Sequence, residues 1–240
     1  MGDDQAMSTL TVPARFCGPA RSGNGGWSAG ALAAHLDAPV VTVRLQRPPP
    51  LDASLRIDEH DGWTRALDGD TTVLQARPAE DDLTPVAPVD AATARAAEAT
   101  YAGLASHPFP TCFTCGTGRE PGDALRIFSG PVGPDRVAAT WTPAPSVGED
   151  GLATLPVTWA ALDCPGAWAA GVADRPMVLG QITARVDRRP VVGEEHVVLG
   201  ELRGTEGRKV FTATSAYAAD GGLVGTAEAT WIVVDPDAFN

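Results

Sequence analysis

Two short stretches hold the side chains that can do chemistry. In the first, Asn24-Gly25-Gly26 stands directly before an Ala- and Leu-rich run, Trp27 to Leu36. A helix start wants one capping side chain, and Asn24 supplies it. Glycine costs about 1 kcal/mol per residue once inside a helix. Two glycines there suit a place where something approaches the backbone closely; a tight turn under an Asn cap is the plainer alternative. In the second stretch, Asp163 lies within WAALDCPGAW, residues 159–168. A lone carboxylate among apolar helical neighbours loses hydration, so its pKa rises unless it is paired. Such a group can activate water or attack an electrophile itself. The plainer alternative is an Asp163 facing solvent, or bonded to N–H groups freed near Pro165.

Other reactive residue types form weaker patterns. Cys112-x-x-Cys115 looks like half a zinc site or a redox pair. A structural zinc site takes four ligands; the nearest further candidate is His107, and no second CxxC exists. No thioredoxin-like pattern surrounds the pair. The reading is therefore thiols buried in a turn, with no metal and no cofactor. Cys164 has no histidine near it in sequence and reads as a small core residue. His35, His60, His107 and His196 lack metal-ligand spacing, and Ser28 and Ser215 lack a GxSxG setting. The glycine-rich SGNGG is not a phosphate loop, because no Lys-Ser/Thr pair follows it. Arg44, Arg47, Arg185, Arg188 and Arg189 either meet phosphates of a ligand or face solvent from strands.

The bulk composition bounds these chemistries. The 240 residues carry 30 acidic and 18 basic side chains, a net charge of −12. That argues against a nucleic-acid partner, which needs a basic face. Hydrophobic residues make up 44% but aromatics only 6%, so the core is built from Ala, Val and Leu. No run reaches the roughly 18 apolar residues of a membrane helix. The acidic start MGDDQAMSTL lacks the apolar segment of a secretory signal. Four cysteines are too few for a disulfide scaffold, so the expected location is cytoplasmic.

The elements that must position these residues follow from periodicity. A strand, interrupted by Pro13, is expected within residues 9–16. A helix of about three turns covers Trp27 to Leu36 and ends before Pro39. The run from Val40 to Arg47 alternates, with Val41, Val43 and Leu45 on one face. Three further strands follow to residue 77, separated by turns at His60-Asp61-Gly62 and Asp68-Gly69-Asp70. Residues 78–107 read as an acidic, proline-bearing linker with an Ala-rich helix. A hairpin is expected around Gly130 to Pro134. A second central helix starts at Thr154, its cap, has Pro156 in the first turn, and kinks at Pro165-Gly166. Four long strands complete the chain. The strand after each helix repeats a pattern: Thr42, Arg44, Leu45 and Arg47 correspond to Thr183, Arg185, Val186 and Arg188.

A helix followed by a meander of long strands, twice over, resembles the hotdog fold in tandem. The second half is similar to the phenylacetate-pathway branch of the acyl-CoA thioesterases. The residues that carry this are CFTCG (112–116), GDALRIF (122–128), Trp141-Thr142-Pro143 and the helix after them. The first half has Asn24-Gly25-Gly26 where that branch commonly has His-Gly-Gly. The resemblance implies an α+β double hotdog: two curved antiparallel sheets, each wrapping a central helix. Its parts are a first half at 9–77, a linker at 78–107 and a second half at 108–235.

The resemblance also implies a site. In such thioesterases the thioester carbonyl docks on glycine N–H groups at the head of the central helix, and the partner subunit supplies an acid. Counted from the helix heads, the acid's position falls on Ala33 in the first helix and on Asp163 in the second. The first helix keeps the glycines and the second keeps the acid, so one composite site of Asn24, Gly25, Gly26 and Asp163 is expected. The mirror site, with Ala33 and Leu155, should be inert. The implied activity is hydrolysis of an acyl-CoA or acyl-carrier thioester, without cofactor or membrane partner. The chain would be an internal pseudo-dimer able to form a homodimer. Alternatives are a non-catalytic acyl-thioester binder, because Asn24 cannot shuttle a proton, and a hotdog hydratase, which would pair Asp with a histidine.

Overall fold

The computed structural model describes residues 8–80 and 82–235, so residues 1–7 of the acidic N-terminus lie outside the described residues. The elements run in order β1 (Thr9–Thr11), α1 (Gly25–Ala33), β2 (Val40–Leu45), β3 (Ser54–His60), β4 (Trp63–Asp68) and β5 (Thr71–Pro78). Then come α2 (Ala91–Glu98), β6 (Gly130–Gly133), β7 (Arg136–Trp141), β8 (Gly148–Glu149) and β9 (Leu152–Ala153). The chain continues through α3 (Leu155–Ala161), α4 (Cys164–Ala169), β10 (Met177–Val186), β11 (His196–Glu206), β12 (Lys209–Ala218) and β13 (Leu223–Val233).

Eleven strands form one sheet, ordered β1-β3-β4-β5-β2-β10-β13-β12-β11-β7-β6, while β8 and β9 make a small separate pair. The expectation of two curved sheets is corrected: β2 and β10 pair antiparallel and join the eleven strands into one sheet. This explains why β2 departs from simple alternation. Thr42 is buried beside Val41 and Val43, because its hydroxyl meets that of Thr183 at 2.7 Å across the junction. The register sets Thr42 opposite Thr183, the residue it corresponds to in the sequence repeat. An antiparallel pair in which a residue faces its own counterpart has a local twofold axis at that point.

The two faces of the sheet are covered differently. On β7, Val137 and Ala139 join the main core, while Ala138 belongs to a second cluster on the opposite face. The main core holds α1, α3 and α4. The second cluster holds Val86 and Ala94, from the segment expected to be a linker. Val86 pins that segment to the sheet. The Val86 N–H donates to Ser215 Oγ at 2.9 Å, and the Tyr217 hydroxyl donates to the Val86 carbonyl at 2.6 Å.

The second central helix breaks earlier than Pro165-Gly166. It ends at Ala161 and restarts at Cys164, with Asp163 between α3 and α4. Pro165 has no N–H to offer the carbonyl four residues back, so the defect lands on the preceding turn. Thr154 sits at the head of α3 but makes no side-chain capping bond. Pro156 removes one of the two N–H groups such a cap would bond.

Candidate functional site

The site grows from the head of α1. The Asn24 side-chain oxygen accepts the Trp27 N–H at 2.8 Å, which is the cap its residue type predicts. That bond fixes the amide so that its Nδ2 points at Asp163, donating to Oδ2 at 3.1 Å. The same carboxylate oxygen accepts the Gly26 N–H at 2.9 Å. Asp163 therefore caps α1, a helix 137 residues away in sequence, and makes no capping bond to its own α4. Its other oxygen, Oδ1, is buried and has no hydrogen-bond partner among the described residues.

Close approach of the two helices creates this contact. A Cβ on Gly26 would lie 2.5 Å from the Asp163 Cβ and 2.7 Å from the Trp159 carbonyl oxygen. A Cβ on Gly30 would lie 2.7 Å from the Trp159 Cβ and 2.8 Å from the Pro156 Cα. Gly26 and Gly30 lie one turn apart and face residues in reverse order along α3, so the helices run antiparallel with backbones nearly touching. Gly26 is thus a packing glycine with its N–H already bonded, whereas the sequence suggested a bare donor. Gly25 differs: it is partly exposed, and its N–H has no acceptor among the described residues.

The four residues singled out in sequence, Asn24, Gly25, Gly26 and Asp163, come together at one point. Burial pushes the Asp163 carboxyl up to about 7, against the lowering effect of the Gly26 N–H and the Asn24 amide; nearby Cys112 raises it further. A carboxylate in that range exchanges its proton near neutrality, as a general base must.

Asn24, Gly25 and Asp163 line a cavity of about 320 Å³. Its apolar wall includes Phe109, Trp168, Leu179 and Trp231. Of the five arginines considered for phosphates, Arg47 alone lines this cavity. Arg44 instead bonds Gln181 and stacks over Trp63, Arg185 pairs with Asp187, Arg188 pairs with Asp220, and Arg189 lines a second cavity. Arg208, not singled out in sequence, also lines the first cavity and is exposed like Arg47.

Sequence reasoning missed two further features. A histidine does share the cavity with Asp163: His107. Its Nδ1 accepts the Phe109 N–H at 3.0 Å, which leaves Nε2 to carry the proton toward the Cys115 carbonyl at 3.1 Å. Burial lowers its pKa, so the ring is held neutral with both nitrogens engaged. The other is that Cys164 joins Cys112 and Cys115, with the Cys112 and Cys164 sulfurs 3.6 Å apart. A pairing across 52 residues leaves no local pattern to read.

No protein-family profile and no curated protein sequence matches the chain. Solved structures do. A tesB protein of Mycobacterium avium subsp. paratuberculosis is 15% identical with a TM-score of 0.58, over 98% of this chain and 96% of that one. A hotdog-fold protein of unknown function from Alicyclobacillus acidocaldarius is 12% identical with a TM-score of 0.59, at the same coverage. A thioesterase-II-like protein of Thermobifida fusca is 14% identical with a TM-score of 0.57, over 97% of each chain. Likeness over the full length of each establishes the hotdog fold.

Proposed function

We propose that this hotdog chain hydrolyses acyl thioesters in one composite site between two tandem hotdog halves, residues 9–77 and 108–235, tied by 78–107. The observation that carries the reading is Asp163. It is a buried carboxylate with one oxygen held by Gly26 and Asn24 and the other without a partner among the described residues, at the wall of an apolar cavity. The thioester carbonyl oxygen accepts from the Gly25 N–H, where the helix end favours developing negative charge. A water bonded to Asp163 Oδ1 gives up its proton to the carboxylate and attacks the carbonyl carbon. The tetrahedral intermediate then collapses, expelling the thiolate. The acyl group lies against Phe109, Trp168, Leu179 and Trp231, and Arg47 and Arg208 meet phosphates of coenzyme A or an acyl-carrier arm. The full-length likeness to the tesB protein and the thioesterase-II-like protein supports this assignment.

Asp163→Asn keeps a planar group of the same size but removes the base. Its thiol release from a panel of short, long and aromatic acyl-CoAs should fall by about 10²-fold or more. Wild-type turnover in that variant would remove Asp163 from the chemistry. Two observations favour a second reading, a binder without turnover: Asp163 occupies the Gly26 N–H, and Asn24 cannot carry a proton. Measurable acyl-CoA binding by the wild-type chain with no thiol release from any of the panel would select that reading.

A further inference from the structure

We propose that Cys112, Cys115 and Cys164 form a three-thiolate site for one zinc ion, with the fourth coordination position open to the apolar cavity. The three sulfurs lie within 4.8 Å of one another, and all three residues are buried, free of disulfides and part of the cavity wall. Thiolates bound to one tetrahedral zinc at about 2.3 Å lie about 3.8 Å apart. The 3.6 Å between Cys112 and Cys164 already meets that spacing. A small inward movement of Cys115 completes the triangle.

The turn around the pair is built to aim sulfur inward. The Gly116 N–H closes it on the Cys112 carbonyl at 2.8 Å. A Cβ on Gly116 would lie 2.5 Å from the carbonyl oxygens of both Cys112 and Pro110, so only glycine lets the chain wrap this tightly. The Asn24 Nδ2 lies 3.7 Å from the Cys112 sulfur and 4.0 Å from that of Cys164.

The donor set selects the ion. It contains sulfur only, without the oxygen ligands that calcium or magnesium require. Three protein ligands and one open position is the pattern of zinc sites that exchange a ligand, rather than closed structural ones. The CxxC alone lacked ligands; Cys164 supplies the third through the fold, and His107 is not needed. On binding, three S–Zn bonds form and three thiol protons pass to solvent. The proposal is independent of the hydrolase reading.

The test is titration of the reduced wild-type chain with cobalt(II), followed by displacement with zinc. One equivalent should bind with thiolate-to-cobalt charge-transfer absorption and the visible bands of tetrahedral cobalt. Zinc should also slow alkylation of Cys112, Cys115 and Cys164, read by mass spectrometry, and leave that of Cys17 unchanged. Cys164→Ser should weaken binding about 100-fold or more, while Cys17→Ser binds like wild type. Absence of stoichiometric binding, or of the charge-transfer band, overturns the site. So does a Cys164→Ser variant that binds as tightly as wild type. The wild-type titration and alkylation need no variant, so they decide the matter even if Cys164→Ser fails to fold.

Discussion

At the scale of single residues, Asp163 carries opposing demands. It is 2% exposed, which disfavours its charge, yet two donors bond the charged form. Burial wins, and the carboxyl titrates at about 7 in the folded chain. The unfolded chain binds its proton less tightly. Stability from this group is therefore fully present below about pH 4 and is lost as pH rises to about 7, by up to about 4 kcal/mol. Asp163→Asn does not titrate. Denaturant unfolding of both proteins at several pH values should show the wild type losing stability relative to the variant over that window. A constant difference would mean that Asp163 has an ordinary pKa. In the proposed mechanism the ionised form is the base, so kcat/KM should rise with pH through about 7. Activity would thus grow over the window in which stability declines.

At the scale of elements, the central feature is how closely α1 and α3 pack. Gly26 and Gly30 present a flat stripe, and the Asp163 contact with the Gly26 N–H depends on that approach. Alanine is the better helix former by about 1 kcal/mol. At Gly30 the added methyl meets the Pro156 Cα at 2.8 Å, a backbone atom that cannot swing aside. Overpacking of this kind costs about 1–3 kcal/mol. Gly30→Ala should therefore lower Tm despite its better propensity, as thermal denaturation can show. An unchanged or raised Tm would mean the helices are free to separate. The break at Asp163 belongs to this scale too. Pro165 interrupts the helical ladder, and the interruption lets a side chain of the second helix unit turn toward the first.

At the scale of the whole molecule, the junction of β2 and β10 makes one sheet from strands encoded far apart. Residues 9–77 alone would leave the β2 edge unpaired and the α1 glycines facing solvent. Residues 108–235 alone would bury Asp163 against nothing. Neither fragment should unfold cooperatively alone by circular dichroism, while the two co-expressed should co-purify. A fragment that folds as a stable monomer would contradict this mutual dependence. Residues 83–98 add a second constraint, because Val86 and Ala94 pack on Ala138, Val197, Leu199 and Ala213 of the sheet.

What the sequence determined by itself was local. Asn24 as a cap, the α1 and α3 positions, the late four-strand run and the Thr42/Thr183 repeat were legible because each depends on spacing within one segment. The anomaly of Asp163, an acid in an apolar stretch, was also legible, and the structure buries it. Tertiary structure decided the rest. It bonded the Gly26 N–H to Asp163, gathered Cys164 with Cys112 and Cys115, brought His107 to the cavity and merged two expected sheets into one. Each of these joins residues from separate elements. Their distances are set by how helices and strands pack, and no periodicity within a segment records that.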